Sequence, residues 1–204
     1  MKKIIFGLVI LILAIAGYFW YKFSSSGGGD HGPKQQPIAL KKHTGAFNQS
    51  ITGAMNAYFD LAAAFVEADT VKIKEHGRKF IQLLDSIPME ELKKDTADIY
   101  EIAVGSFSGI KSNAESILAM TDIQEMRKDF SMVSENLYPF FKIINYEGEK
   151  MYWQNCPMAF GDDKGANWIS NSKDVINPYL GKNHPEFKGT MLHCGSIKDT
   201  IKAQ

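Results

Sequence analysis

The chain has little cysteine and no net charge, and both features restrict the classes of protein to which it can belong. Two cysteines among 204 residues are too few for a disulfide framework, so the fold must depend mainly on apolar packing. A hydrophobic content of 45% is sufficient for such a core. Lysine plus arginine and aspartate plus glutamate both number 23. This balance argues against a nucleic-acid partner, because phosphate contacts need a basic face.

Sequence motifs of catalysis are also missing. The chain contains no G-x-S-x-G, no Walker loop, no H-E-x-x-H zinc motif and no C-x-x-C pair. We therefore do not expect an enzyme. The length allows one domain of ordinary size together with a tether.

A long apolar run occurs at the N-terminus, where Lys2 and Lys3 precede residues 4–21. One interpretation is a retained signal anchor, because ~18 apolar residues span a hydrocarbon core and aromatic residues close the run at an interfacial depth. The other is a cleaved signal peptide with a small-residue site at residues 14–16. We assign residues 1–23 to this transmembrane or signal helix and favour the anchor. The rest of the chain is then expected in the periplasm, anchored to the inner membrane or secreted there after cleavage.

Residues 24–43 are predicted to be a flexible linker. Serine and glycine dominate its first half, and neither can bury enough apolar area to order a segment. His43, at the end of the linker, has no partner at helical spacing, and we expect it to be exposed and without a metal role. The folded domain is predicted to occupy residues 44–204.

Helical spacing of apolar residues begins at Phe47 and recurs in four segments. The first segment ends at Asp69, the second stops before Pro88, and the third runs from about Thr96 to residue 120. The fourth begins after Asp122, with Pro139 predicted to kink or end it near residue 138. Amphipathic helices with short connections predict an all-α fold, an antiparallel four-helix bundle.

The periodicity is lost beyond residue 145, where glycine, proline, asparagine and aspartate become frequent. Residues 151–195 are therefore predicted to form an irregular segment dominated by turns. Three aromatic residues, Trp153, Trp168 and Tyr179, are expected to anchor this segment on the bundle.

Sulfur side chains are grouped at the two ends of this segment. Cys156 and Met158 lie near its start, and Met191, His193 and Cys194 lie near its end. Thiolates and thioethers are soft donors that suit Cu(I), whereas Ca²⁺ and Mg²⁺ prefer oxygen. If the two ends meet, the five residues form a soft-metal site with two thiolates, two thioethers and one imidazole. Copper as Cu(I) is the expected cofactor.

An alternative without metal remains open for the same cysteines. Exported cysteines meet an oxidising compartment, where two of them often form one disulfide. Closing the loop between Cys156 and Cys194 would stabilise the fold by about 4 kcal/mol from loop-closure entropy. The chain would then be a disulfide-stapled helical interaction module.

The C-terminal motifs also carry a resemblance to a known family. They are residues 156–159 (Cys-Pro-Met-Ala), 165–170 (Gly-Ala-Asn-Trp-Ile-Ser), 177–181 (Asn-Pro-Tyr-Leu-Gly) and 191–195 (Met-Leu-His-Cys-Gly). In order and spacing they resemble a domain of unknown function in exported proteins of certain Gram-negative bacteria. That domain occurs alone or at the C-terminus of adaptor proteins of resistance-nodulation-division heavy-metal efflux pumps.

This resemblance extends over about residues 44–201, because the family also has a helical N-terminal half. Through the efflux adaptors it implies the handling of copper or a related metal. The expected partners are a metal ion, an efflux-pump adaptor or another periplasmic protein, and the inner membrane. The expected function is that of a membrane-tethered, extracytoplasmic copper-binding protein in metal efflux or homeostasis.

Overall fold

The computed structural model of the chain describes residues 42–201. The predicted membrane or signal helix and all but the last two residues of the predicted linker lie outside this range. Within residues 42–201, no helix has both the length and the apolar composition needed to cross a membrane.

Four α-helices form the larger part of the described domain. They are α1 (Gly45–Val66), α2 (Thr70–Asp85), α3 (Ala97–Ala119) and α4 (Ile123–Ile143), with a short 3₁₀ helix at Met89–Lys94 between α2 and α3. Successive helices contact each other and pack antiparallel. Aromatic rings join α1 to α4 across the core, with Phe130 lying 5.2 Å from Tyr58 and 4.7 Å from Phe65 between ring centroids. The predicted antiparallel bundle is confirmed.

Each helix begins at a side chain that caps its first turn. Thr44, Asp69, Thr96 and Asp122 accept hydrogen bonds from backbone N–H groups two or three residues further on. These bonds satisfy N–H groups that have no partner inside the helix. The predicted helix boundaries at residues 69 and 122 are confirmed.

Pro139 lies inside α4 and does not end it, so of the two predicted outcomes, a kink or an end near residue 138, the end is wrong. The helix continues to Ile143. A proline inside a helix costs about 3 kcal/mol. Phe140 and Phe141, which follow it, are almost completely buried, and burying each side chain contributes roughly 1.5–3 kcal/mol. Core packing therefore outweighs the local cost.

His43, the last residue of the predicted linker, packs against the helical domain. His43 is buried, stacks on the ring of Phe47 and places Nε2 within hydrogen-bond distance of the Ile144 carbonyl oxygen. The expectation that His43 is exposed is wrong, because the end of α4 packs beside it.

The C-terminal segment contains a small antiparallel sheet, which corrects both the all-α prediction and the predicted irregular character of residues 151–195. Its strands are β1 (Met151–Cys156), β2 (Ala166–Ser170) and β3 (Ser196–Ile201), in the order β2-β1-β3. Trp153 and Gln154 of the central strand β1 are adjacent and both buried. Because neighbouring residues of a strand point to opposite faces, both faces are covered here. The sequence of β1 therefore lacks the alternation of polar and apolar residues that is typical of a half-exposed strand.

Buried aromatic side chains attach the sheet to the bundle, as predicted for Trp153, Trp168 and Tyr179. Trp153 stacks on Tyr138 of α4 at 4.5 Å between ring centroids. Tyr179 is fully buried and lies 6.0 Å from the rings of both Phe130 and Trp168.

Tyr58 joins the two parts by hydrogen bonds. Its hydroxyl group lies 2.7 Å from Ser134 Oγ and accepts a hydrogen bond of 3.1 Å from the Ile169 backbone N–H.

We expect Tyr58→Phe to lower the free energy of unfolding by about 1–3 kcal/mol, because a buried N–H of β2 loses its acceptor. Urea denaturation of the full-length chain measures this. Tyr100→Phe, which removes an exposed bond to Glu90, is the matched control, and equal effects in both variants would contradict the assigned role.

Candidate functional site

Cys156 and Cys194 meet where β1 ends and β3 is about to begin. Asn155 pairs with Ser196 in the antiparallel register, so the residues that follow Asn155 and precede Ser196 lie side by side. Cys156 is fully buried, Cys194 is half-buried, and both are free thiols. The side chain of Cys156 lies close enough to Cys194 to influence its thiol.

The environment of Cys194 keeps its thiol protonated at neutral pH. Burial, followed by the contact with Cys156, raises the pKa of Cys194 to about 12. A thiol is nucleophilic only as the thiolate, so Cys194 does not resemble a catalytic nucleophile. A thiol with a raised pKa can still act as a metal ligand in general, because a bound cation takes the place of the proton.

Asn177 holds the turn that carries Cys194. This fully buried residue donates from its backbone N–H to Leu192 O at 2.8 Å and from Nδ2 to Cys194 O at 2.9 Å. Its Oδ1 accepts from the backbone N–H groups of Tyr179 and Leu180 at 2.8 and 3.0 Å. One asparagine side chain therefore fixes residues 177–180 and the Cys194 turn to each other.

His193 presents a free ring nitrogen beside this turn. The side chain is exposed, and its Nδ1 lies 2.8 Å from Val175 O. A carbonyl oxygen only accepts, so Nδ1 carries the proton and Nε2 of the neutral ring keeps its lone pair. A backbone carbonyl that receives the other ring N–H is a common partner of metal-binding histidines.

His184 has the opposite tautomer, and no pattern of neighbouring residues in the sequence points to it. It is buried, and its Nδ1 accepts from the backbone N–H groups of Glu186 and Phe187 at 3.3 and 3.4 Å. The proton of the neutral ring is therefore on Nε2, which makes His184 a hydrogen-bond donor and not a metal ligand. Burial, and then the charge of Arg127, lowers the pKa of His184, which favours the neutral ring.

The two methionines occupy different surroundings. Met191 is half-buried in the turn of Cys194, whose backbone N–H donates to Met191 O at 2.9 Å. Met158 lines a cleft of about 490 Å³ together with His184 and Phe187. Neither cysteine nor Met191 lines this cleft.

Metal ligands of the harder types do not cluster in the described part of the chain. Among residues 42–201, no group of three or more histidine, cysteine, aspartate or glutamate side chains is arranged to hold a metal ion. As the described side chains are placed, no histidine or carboxylate joins the two thiols as a third donor, so a further donor in place would have to be a methionine sulfur.

Arg127 is a second residue that the sequence analysis did not select. Its side chain is fully buried in α4. It lies four residues after Ile123 and three before Phe130, spacings that place all three on one face of a helix. A charged residue within an apolar face was the signal that could have identified it.

Comparisons with known proteins reach only the helical part. Residues 54–148 match the family DUF3347, described as a protein of unknown function. The predicted resemblance to a domain of unknown function is confirmed over this range, which ends before β1 and does not include the cysteines. Neither a curated protein nor a solved structure matches the chain.

Proposed function

We propose that this chain, whose residues 54–148 match DUF3347, is a binding protein for a soft metal ion, foremost Cu(I), and not an enzyme. The observation that carries the proposal is the contact between the free thiols of Cys156 and Cys194. The bundle supports this pair because Trp153 of β1 stacks on Tyr138 of α4 and the Ile169 N–H of β2 donates to the Tyr58 hydroxyl of α1.

The chemistry of the pair favours Cu(I). Two thiolates provide soft anionic donors, and Cu(I) accepts low coordination numbers that Ca²⁺ and Mg²⁺ do not. Cu(I) would displace the thiol protons, including the proton that burial retains on Cys194. The apparent affinity should therefore rise with pH through the neutral range, by about tenfold per pH unit for each proton displaced.

Further donors lie in the same turn. Met191 and His193 both precede Cys194, and among residues 42–201 no hydrogen bond occupies Nε2 of His193 in the tautomer that Val175 selects. His193 would have to turn toward the two thiols to contribute, because the three side chains do not form a ligand group as they stand. Met158, two residues after Cys156, is the fourth sulfur of the proposed set. It would have to turn from its cleft toward Cys156 to contribute.

The location of Cys194 suits transfer of the ion. Cys156 is fully buried, whereas Cys194 is half-buried, so an incoming thiolate or thioether of a partner can reach the outer ligand first. We propose that the domain is tethered to the inner membrane through residues 1–23, lies in the periplasm, and passes the ion to an efflux-pump adaptor or another periplasmic protein.

A Cu(I) competition titration against a chromogenic chelator, under reducing conditions, tests the proposal on the full-length chain. Cys156→Ser and Cys194→Ser should each weaken binding by at least about a hundredfold, because each removes a thiolate. Met191→Leu, Met158→Leu and His193→Gln should each weaken it about tenfold. Leucine is close to methionine in volume, so the two methionine variants should lose less than ~1.5 kcal/mol in the free energy of unfolding.

Met132→Leu is the matched control, because Met132 is exposed on α4. This variant should leave the Cu(I) affinity unchanged. Unchanged affinity in both cysteine variants would refute the metal proposal. Unchanged affinity in both Met158→Leu and Met191→Leu would reduce the site to the two cysteines.

The contact between the thiols also supports the second candidate function, a disulfide-stapled interaction module without metal. Protein purified from the periplasm and alkylated in denaturant before any reduction distinguishes the two, because the denaturant exposes the buried thiol of Cys156 to the reagent. A complete Cys156–Cys194 disulfide, together with no Cu(I) binding after reduction, would favour the stapled module.

A further inference from the structure

The cleft of about 490 Å³ beside the start of α4 contains several side chains that the proposed metal function does not use. Its apolar walls are the half-buried rings of Phe160 and Phe187, the side chain of Met158 and the buried Leu180. These residues belong to the turn after β1 and to the segment that precedes the Cys194 turn. A cleft of this size with apolar walls and a few polar groups admits a small organic group.

Two carboxylates supply the unpaired charge that faces this cleft. Asp162 and Glu186 are lining residues with exposed side chains, and neither forms an ion pair within residues 42–201. Lys128 also lines the cleft, but its ammonium group lies 2.7 Å from the Glu125 carboxylate. Arg127 is fully buried and is not a lining residue. The charge available to an occupant of the cleft is therefore negative.

His184 adds a hydrogen-bond donor to the same cleft. Its ring is buried and lines the cleft, and Nδ1 accepts from the backbone N–H groups of Glu186 and Phe187, so Nε2 of the neutral ring carries the proton. In the described part of the chain no acceptor bonds to Nε2, and Nε2 is not among the fully enclosed polar atoms that lack a partner. This N–H group therefore keeps accessible surface and can donate to a bound molecule.

An alkylammonium group matches these features together. Its positive head pairs with carboxylates, and its methylene stem packs on aromatic rings, whose faces also attract a cation. Exposed carboxylates by themselves would only be solvated, so the aromatic walls are what make the cleft selective for an organic cation. A metal ion is a poorer match, because no three histidine, cysteine or acidic side chains of residues 42–201 are arranged to hold one.

We propose that this cleft binds an alkylammonium group, either of a free amine or of a lysine side chain. Asp162 and Glu186 pair with the charged head, and Phe160 and Phe187 contact the stem. When the ammonium belongs to a lysine residue, His184 Nε2–H donates to a carbonyl oxygen of its backbone. The site is separate from the two cysteines and does not rest on the metal proposal.

An NMR titration of the isotope-labelled full-length chain tests the site through the backbone amides of residues 158–162 and 184–187. The probes are n-butylammonium chloride and Nα-acetyl-lysine methylamide, and 1-butanol at equal ionic strength is the uncharged comparison. We expect saturable shifts with a dissociation constant of about 10 mM or below for at least one ammonium probe, and none for 1-butanol. Tighter binding of butylammonium indicates a free amine as the ligand, whereas tighter binding of the lysine amide indicates a lysine side chain.

Variants that remove charge separate the site from a general attraction of cations. Asp162→Asn combined with Glu186→Gln keeps the shapes of two exposed side chains, so this protein should fold as wild type does and bind ammonium at least about tenfold more weakly. Asp163→Asn is the matched control, because Asp163 is exposed but does not line the cleft, and its affinity should be unchanged. Cys194→Ser should also retain ammonium binding, even when it loses Cu(I).

Several results would overturn the proposal. One is the absence of saturable shifts with both ammonium probes in wild type. Another is equal ammonium affinity in wild type and in the variant that lacks both lining carboxylates. A loss in Asp163→Asn as large as in that variant would show only long-range attraction. Binding of 1-butanol as tight as that of butylammonium would show a cleft that recognises the apolar stem and not the charge.

Discussion

Gly181→Ala is expected to lower the free energy of unfolding by about 3 kcal/mol or more, or to prevent folding. A Cβ atom at this position would lie 2.2 Å from the carbonyl oxygen of Val66 and 2.6 Å from its Cα. Both are backbone atoms at the end of α1, which cannot rotate away as a side chain can. Overpacking of this kind forces the backbone to shift.

The cost is large because this contact closes the end of α1. Lys182 N–H donates to Val66 O at 2.9 Å, and Asn183 Nδ2 donates to Glu67 O at 2.9 Å. These bonds satisfy carbonyl groups that have no partner inside the helix. Separating Gly181 from Val66 would break them and detach the segment that follows Tyr179.

Urea denaturation of the full-length chain, followed by tryptophan fluorescence, measures this effect. Gly105→Ala is the matched control, because Gly105 lies inside α3 and nothing comes within 4 Å of its added Cβ. That variant should gain about 0.5–1 kcal/mol from reduced backbone freedom of the unfolded chain. A Gly181→Ala protein as stable as wild type would show that the close approach to Val66 is not required.

Asn177→Ala should cost about 2–4 kcal/mol in the free energy of unfolding and also weaken Cu(I) binding by about tenfold. The substitution leaves the N–H groups of Tyr179 and Leu180 and the carbonyl of Cys194 without their buried partner. Each unsatisfied buried group costs roughly 1–3 kcal/mol. The looser Cys194 turn should then lose part of its orientation toward Cys156, as when a supporting residue of a metal site is removed.

Asn177→Asp separates the two effects. It keeps an acceptor for the N–H groups of Tyr179 and Leu180 but, as a carboxylate, cannot donate to Cys194 O. We therefore expect Asn177→Asp to lose less stability than Asn177→Ala. Its loss of Cu(I) affinity should be similar to that of Asn177→Ala. Asn171→Ala, at an exposed position, should change the stability by less than ~0.5 kcal/mol. If Asn177→Ala lowers the free energy of unfolding less than Asn171→Ala does, Asn177 does not hold the turn.

The helices could be predicted because their signals are local. Asp69 and Asp122 accept hydrogen bonds from N–H groups only two or three residues away, and apolar spacing repeats within one or two turns. These features need no knowledge of the rest of the fold. Pro139 is the exception, because the burial of Phe140 and Phe141 is a tertiary effect that outweighs a local rule.

The sheet could not be predicted because its pairing is not local. β1 pairs with β3, which lies on the other side of a long connection, and the register at Asn155 and Ser196 depends on that connection. β1 is buried between two strands and contains Gln154 and Asn155, so its sequence lacks the alternation typical of a half-exposed strand. Short polar strands resemble turns when sequence is the only guide.

For the candidate site, residue type sets the chemistry of the side chains, whereas the fold sets which of them lie near each other. The soft sulfur side chains of Cys156, Met158, Met191 and Cys194 could be recognised from residue type alone. The pairing of β1 with β3 and the hydrogen bonds of Asn177 place the two cysteines near each other. The availability of each imidazole was also decided by the fold. A carbonyl of Val175 leaves Nε2 of His193 free, whereas two backbone N–H groups make His184 a donor. Tautomers depend on the hydrogen-bonding neighbours that folding supplies, and residue type alone does not contain them.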